Sequence, residues 1–151
     1  MPSVTSSIDI ASLPHAVWDL VSDPKRYPEW VEVTDRMIDV PAEALREGSI
    51  YTEYAGLWPF KSESTWRITA FEPHRRQVHL GDDGTAEVEL TMLIEPTDEG
   101  SRFTQTLDLR FRGVAALLMV AAWPLVMRRR MQRAVDRSVA NARDLTETAA
   151  R

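Results

Sequence analysis

The sequence predicts an α+β domain in which an antiparallel sheet has helices at both of its sequence ends. Three observations support this fold class. About six segments between residues 33 and 111 alternate between apolar and polar residues, as strands with one buried face do. One strand-like and two short helical segments precede them, and a long segment with apolar residues at helical spacing follows. The length is that of one ordinary domain, so we expect residues 1–151 to form a single domain.

The beginning of the chain predicts one strand and two short helices. "SVTSSIDI" (residues 3–10) alternates and predicts the first strand. "SLPHAVWDLVSD" (residues 12–23) predicts a helix, with Ser12 as its cap and Pro14 in its first turn. "DPKRYPEW" (residues 23–30) contains two prolines, so only a short turn of helix fits there.

The middle of the chain predicts a meander of strands. Alternation places Tyr54, Trp66 and Gln105 on inward faces, and it places Arg67 and His79 on outward faces. The "GDDG" sequence is a good tight turn between two of these strands. The predicted strands cover residues 33–40, 48–56, 62–71, 77–80, 85–96 and 101–111.

Composition and motifs exclude several classes of function. The net charge is −5, with −9 in residues 1–127 and +4 in residues 128–151, and this acidic body argues against nucleic-acid binding. There is no cysteine, and the three histidines have no ligand-spaced partners, so we expect no metal site. No glycine-rich phosphate loop or nucleophile elbow is found, and we expect no cofactor. The N-terminus has no signal-peptide pattern, so we expect a cytoplasmic location.

Aromatic and small residues predict a cavity between the sheet and the last helix. Tyr27 and Trp30 lie in a proline-bounded turn, where aromatic side chains often line a cavity mouth. The inner face of the predicted helix over residues 125–148 consists of small and flexible side chains that need not fill the space above a curved sheet. The alternatives are plain core packing for Trp66 and a close approach of sheet and helix. The candidate ligand contacts are Tyr27, Trp30, Tyr54, Trp58, Trp66, Gln105, Met127, Met131 and Val135.

Three stretches in order resemble one protein family. "SSIDIASLPHAVWDLVSDPKRYPEWV" (residues 6–31) resembles the beginning of the SRPBCC superfamily, also called START-like or Bet v 1-like. "ITAFEPHRRQVHL" (residues 68–80) and "EPTDEGSRFTQTLDLRF" (residues 95–111) resemble its later turns and hairpins. The resemblance covers nearly the whole chain. It implies a helix-grip fold, in which a seven-stranded antiparallel sheet wraps around a long C-terminal helix and a hydrophobic cavity lies between them.

Within this superfamily the chain is most similar to the polyketide cyclase/dehydrase-like branch. That resemblance implies either a binder of a hydrophobic small molecule, such as a lipid, quinone or polyketide, or an aromatase/cyclase-like enzyme. Related cyclases use an arginine and a tyrosine in the cavity, and the candidates here are Tyr27, Tyr54 and Arg67, although alternation places Arg67 outward. A third alternative is a START-like regulator that acts through a protein partner, which the basic stretch Arg128–Arg133 would support.

The apolar stretch Val114–Met127 raises the question of a membrane span. Fourteen residues of helix extend about 21 Å, which is short of the roughly 30 Å hydrocarbon core, so we expect no transmembrane segment. We interpret residues 114–123 as a short apolar helix or loop that acts as a lid, and Pro124 as the first-turn residue of the main helix. Arginines at the positive end of a helix then suggest acidic partners or anionic lipid. A lid, a dimer contact in a homodimer, and a peripheral membrane contact of a monomer remain alternatives.

Overall fold

One seven-stranded antiparallel sheet dominates the computed structural model, which describes residues 2–151. The strand order in the sheet is β1-β7-β6-β5-β4-β3-β2. Each predicted strand is present with bounds within two residues of the prediction, and the architecture is the helix-grip fold. The strands are β1 (Ser3–Ile10), β2 (Thr34–Asp39), β3 (Ile50–Ala55), β4 (Ser62–Glu72), β5 (Arg76–Asp82), β6 (Ala86–Thr97) and β7 (Gly100–Phe111).

The helices lie at the two sequence ends of the sheet, as predicted. β6 and β7 alternate along most of their length and form the longest pairing, from Ala86 opposite Phe111 to Thr97 opposite Gly100. The helices are α1 (Pro14–Val21), α2 (Tyr27–Trp30), α3 (Gly113–Ala122) and α4 (Arg128–Ala149), with a 3-10 turn at Pro24–Arg26 and a π-helical turn at Trp123–Met127.

The predicted Ser12 cap of α1 is wrong. Pro14 occupies the first helical position, as expected, so the capping position falls on Leu13. Ser12 is held against the β6–β7 hairpin instead, where its carbonyl oxygen accepts a hydrogen bond of 2.7 Å from the Ser101 hydroxyl. The Ser12 hydroxyl itself is buried without a hydrogen-bond partner within residues 2–151.

The interpretation of Pro124 as the first-turn residue of the main helix is also wrong, since α3, the π-helical turn and α4 form one continuous helical segment. A proline inside a helix lacks an N–H donor and crowds the preceding turn, and the wider π-helical turn accommodates it. The helical segment therefore begins at Gly113, and Arg128 lies about four turns from that end. The positive pole of the helix does not explain the arginines, because its effect is confined to the first turn.

α4 packs against the sheet and the short helices through small side chains. The Glu32 N–H donates to the Ser138 hydroxyl (2.9 Å), and the Asn141 amide donates to the Trp30 carbonyl (3.3 Å). Ala142 is fully buried at this contact. These bonds hold α4 beside α2 and leave space further along, below α3. No helix within residues 2–151 is long and apolar enough to cross a membrane.

Candidate functional site

Two adjacent chambers lie between the sheet and the helical segment. The outer chamber has a volume of about 420 Å³ and lies below α3, where Ala122, Trp123 and Met127 face strands β6 and β7. The inner chamber is narrower, about 50 Å³, and lies between the middle of the sheet, α2 and α4. The two chambers share the lining residues Val33, Glu53, Trp66, Leu107 and Met131.

Most of the predicted ligand contacts lie on these walls. They divide between the two chambers, with Trp66 and Met131 on both. The inner chamber is lined by Tyr27, Trp30, Trp66, Gln105, Met131 and Val135, and the outer chamber by Trp66, Met127 and Met131. The cavity that the sequence predicts is therefore present, and α3 forms part of its wall as the lid interpretation requires.

The prediction that Tyr54 faces inward is wrong. Tyr51 lies opposite Trp66 in the β3–β4 pairing, so Tyr51 and Glu53 share the side of the sheet that faces the helix. Tyr54 lies on the other side, where the Arg36 guanidinium sits 4.4 Å from the centre of its ring. Because both faces of β3 mix apolar and polar residues, the register with β4 decides the orientation and the local sequence does not.

Two further candidates lie away from the chambers. Trp58 is in the β3–β4 loop and is 73% exposed, and its carbonyl oxygen accepts a hydrogen bond from the Arg130 guanidinium. Arg67 is exposed on the outer side of β4, as alternation predicted. Neither Tyr54 nor Arg67 reaches the cavity, so of the three catalytic candidates only Tyr27 lines it.

Glu53 is a site residue that the sequence reasoning missed. Its carboxyl group lines both chambers and is almost completely buried. Burial raises its pKa from the usual 4.5 to about 7, although the Thr34 hydroxyl, which donates to Oε2 at 3.0 Å, opposes this rise. A carboxyl group with such a pKa can gain or lose a proton near neutral pH. The sequence signal that could have identified Glu53 is its position inside a predicted strand, close to the aromatic residues of that strand.

His79 was predicted to face solvent, and this is wrong because the ring is fully buried on the helix-facing side of β5. Nδ1 lies 2.7 Å from the Tyr51 hydroxyl, and Nε2 lies 2.8 Å from Gln77 Oε1. The Gln77 amide nitrogen donates to the Val21 carbonyl at 3.2 Å, so Oε1 is the acceptor for His79 and the Tyr51 hydroxyl donates to Nδ1. Burial lowers the pKa of His79 to about 3, and the ring is neutral.

Three aromatic donors in the wall of the inner chamber have no protein partner. The Tyr27 hydroxyl, Trp30 Nε1 and Trp66 Nε1 are buried and make no hydrogen bond within residues 2–151. Buried polar groups are bonded in most proteins, so an acceptor atom in the inner chamber would be stabilised by these groups. Burial raises the pKa of Tyr27 well above its usual value, which keeps its hydroxyl a donor.

The ring of Trp66 is held in place from two sides. It stacks on Tyr51, with 6.3 Å between the ring centres and 8° between the planes. On the other side it lies flat on Gly81, where a Cβ atom would fall within 2.6 to 2.7 Å of three ring atoms. Among residues 2–151, no cluster of three or more His, Cys, Asp or Glu side chains is arranged to hold a metal ion.

Two mycobacterial relatives cover most of the chain. "Uncharacterized protein Rv1546" of Mycobacterium tuberculosis is 28% identical over 123 residues, which is 81% of this chain and 86% of that protein. "Toxin Rv0910" of the same organism is 26% identical over 118 residues, or 78% of this chain and 81% of that protein.

Solved structures share the fold at lower identity. TTHA0849 from Thermus thermophilus has a TM-score of 0.81 at 16% identity and covers 99% of this chain and 100% of its own. The di-domain ARO/CYC StfQ from the steffimycin biosynthetic pathway has a TM-score of 0.78 at 11% identity, over 98% of this chain and 51% of its own.

The sequence also matches a family model over residues 1–143, described as polyketide cyclase/dehydrase and lipid transport. The match spans nearly the whole chain and includes every element that forms the two chambers except the end of α4. The resemblance inferred from the three motifs is thereby confirmed. The chain belongs to the polyketide cyclase/dehydrase and lipid transport family.

Proposed function

We propose that this protein binds a hydrophobic small molecule that has one polar end. The apolar body of the ligand would fill the outer chamber, whose volume is within the usual range for small-molecule sites. The polar end would lie at the boundary of the two chambers, beside Glu53 and Trp66. The observation that carries this proposal is that a buried carboxyl group and unpartnered donors lie together at one end of a mostly apolar cavity.

The charge of the lining restricts the polar end of the ligand. Within residues 2–151, no lysine or arginine lines either chamber, whereas Glu53 lies at their junction and Asp83 lines the outer chamber. A carboxylate or phosphate placed there would be desolvated without a counter-charge and would repel Glu53. A hydroxyl or ketone could instead bond to the carboxyl group and to the Trp66 and Tyr27 donors. The proposal therefore favours a neutral phenol, quinone or polyketide over an anionic lipid.

A cavity-filling variant tests whether the outer chamber takes the ligand. Ala122 lines the chamber and Ala121, its neighbour on the same helix, is exposed. We expect Ala122→Phe to weaken the binding of a neutral solvatochromic dye by about tenfold or more, since its ring occupies the chamber. Ala121→Phe is the matched control and should bind as the wild type does. Equal dye binding by both variants would contradict the proposal.

A pair of probes tests the chemistry of the polar end. At pH 8 we expect a long-chain alcohol to displace the dye at lower concentration than the carboxylate of equal chain length, because Glu53 is then ionised. Stronger displacement by the carboxylate would show that the polar end has been assigned wrongly. Native mass spectrometry of protein from its own host, followed by solvent extraction, identifies the natural ligand. A protein that carries no small molecule and binds no dye would refute ligand binding altogether.

A cyclase/dehydrase-like reaction is the second candidate, and the position of Glu53 favours it. A carboxylate at the junction could take a proton from the carbon beside a ketone and return it to a hydroxyl on the next carbon, which leaves as water while a double bond forms. The pKa near 7 suits both steps. Glu53→Gln should then retain a β-hydroxyketone substrate and abolish its dehydration, measured by mass spectrometry. Binding without turnover by the wild type would leave only the first candidate.

A further inference from the structure

α3, the π-helical turn after it and the neighbouring β3–β4 loop present a set of large apolar side chains to solvent. No residue of α3 is buried. We call this set the α3 surface. It consists of Val114, Leu117, Leu118, Val120 and Leu125, which are 66% to 77% exposed, and of Trp58 and Phe60 in the loop, which are 73% and 63% exposed. Single exposed apolar residues are ordinary, but a group of seven marks an interaction site.

The arginines that follow this surface are not neutralised by the protein. Arg128, Arg129 and Arg133 have no acidic group within 4 Å among residues 2–151, whereas Arg137, one turn further along α4, pairs with Glu32 at 3.2 Å. The guanidinium of Arg130 is bonded to the Trp58 carbonyl, so the basic stretch is attached to the apolar loop. Residues 112–135 contain no Asp or Glu.

We propose that the α3 surface docks on a lipid bilayer that contains anionic lipid. α3 would lie in the plane of the interface with its apolar side chains in the acyl region, and Trp58 would sit at the level of the headgroups. Arg128, Arg129 and Arg133 would then meet lipid phosphates, which supply the counter-charge that the protein lacks. The apolar stretch is too short to span the bilayer and fits this shallow position.

A second copy of the chain is a poorer occupant of the same surface. In a symmetric dimer each surface would meet an identical surface, which also carries the arginines and has no acidic residue over 112–135. The apolar side chains would be covered in such a dimer, but the basic charge would be concentrated without neutralisation. An anionic membrane would both cover the apolar side chains and neutralise the basic charge. Docking on a membrane does not depend on the identity or the existence of a bound ligand.

Docking would also place the outer chamber at the membrane. α3 lines this chamber through Ala115, Met119 and Ala122, and Leu118 and Phe60 of the α3 surface line it as well. The same short elements therefore separate the bilayer from the cavity. If the proposed ligand-binding function holds, an apolar molecule could enter between α3 and the loop without crossing water.

Vesicle flotation of the full chain tests the proposal. We expect the protein to float with vesicles of phosphatidylcholine and phosphatidylglycerol, and to float weakly with phosphatidylcholine alone. Leu117→Ser/Leu125→Ser should remove binding to both, because the apolar contact is lost. Arg128→Gln/Arg129→Gln/Arg133→Gln should lower affinity for the anionic vesicles on the order of 100-fold, from about fivefold per arginine.

Matched controls carry the same substitutions on other surfaces. Leu13 and Ile50 are 62% and 50% exposed and lie outside the α3 surface, so Leu13→Ser/Ile50→Ser removes comparable apolar exposure. Arg46→Gln/Arg67→Gln/Arg75→Gln removes three exposed positive charges elsewhere. Both controls should float as the wild type does, and circular dichroism establishes that every variant is folded.

Three outcomes would overturn the proposal. The wild type fails to float with either vesicle, the α3 variants float as strongly as their controls, or the three-arginine variant keeps its affinity for anionic vesicles. Sedimentation in the absence of lipid is measured in parallel. A wild-type dimer that becomes monomeric in Leu117→Ser/Leu125→Ser, with no flotation of either protein, would assign the α3 surface to a contact between copies of this chain instead.

Discussion

The ionisation of Glu53 offers the sharpest test of the site geometry. Glu53 is 5% exposed and the pKa of its carboxyl group is raised to about 7, so folding takes up a proton between pH 4.5 and pH 7. The unfolded chain binds fewer protons than the folded one in this range, and the free energy of unfolding falls as pH rises through it. Glu53→Gln removes the ionisable group, keeps its size and retains an acceptor for the Thr34 hydroxyl.

The expected size of the effect follows from the shift in pKa. A change from 4.5 to about 7 corresponds to about 3 kcal/mol of unfolding free energy. The unfolding free energy of Glu53→Gln should therefore increase by about 3 kcal/mol relative to that of the wild type as the pH rises from 4.5 to 8. For a chain of this length the gain corresponds to a rise in Tm on the order of 10 °C at pH 8.

His79 makes the unfolding free energy rise with pH, which is opposite to the effect of Glu53. Comparing Glu53→Gln with the wild type removes this contribution. Its pKa in the folded protein is lowered to about 3 from 6.5, so the unfolded chain binds more protons between these values. Its contribution to stability is complete above pH 6.5 and is lost as pH falls toward 3. Both the wild type and Glu53→Gln contain this histidine, and the difference between their unfolding free energies cancels it.

Urea unfolding at pH 5, 6, 7 and 8, followed by circular dichroism, measures the difference. Glu63→Gln, which removes an exposed carboxylate from the adjacent strand β4, is the control for the loss of one negative charge. The reasoning is refuted if the difference between Glu53→Gln and the wild type does not change with pH. It is also refuted if the difference rises on acidification, since the carboxyl group would then be stabilised in its ionised form.

Two further substitutions test the groups that position the site. Tyr51→Phe leaves Nδ1 of His79 without its donor, so we expect the unfolding free energy at pH 7 to fall by about 1–3 kcal/mol. The control Tyr54→Phe should change the unfolding free energy by less than about 0.5 kcal/mol. Equal effects of the two substitutions would show that the hydrogen bond from Tyr51 to His79 is unimportant for stability. Gly81→Ala places a methyl group against the Trp66 ring, so we expect a loss of about 1–3 kcal/mol together with weaker binding of the neutral dye in equilibrium titration. Unchanged dye affinity in folded Gly81→Ala would show that the position of Trp66 does not shape the chambers.

The elements of this fold could be predicted from local patterns. β6 and β7 alternate along most of their length, α4 has small and apolar residues at helical spacing, and the prolines limit α2 to a single turn. Each pattern depends only on residues that are neighbours in the sequence. The same alternation placed Trp66 and Gln105 on the helix-facing side correctly, because their strands have one clearly apolar face.

The orientation of β3 depended on a contact between strands. Residues 50–55 carry an aromatic ring on each face, so their own alternation does not choose between Tyr51 and Tyr54. The register that sets Tyr51 opposite Trp66 decides it. This register results from the packing of many side chains along the sheet, and a slip of one residue would reverse every side chain of the strand.

By itself the sequence determined the order of the elements and the family, and it favoured a cavity beside the C-terminal helix. Only the tertiary structure decided the polar chemistry of that cavity. Glu53 and His79 are polar residues that local patterns assign to solvent, and each is buried because a partner distant in sequence, Thr34 or Tyr51, bonds to it. Such partners are chosen by the free energy of satisfying buried polar groups across the whole fold, which no short segment contains.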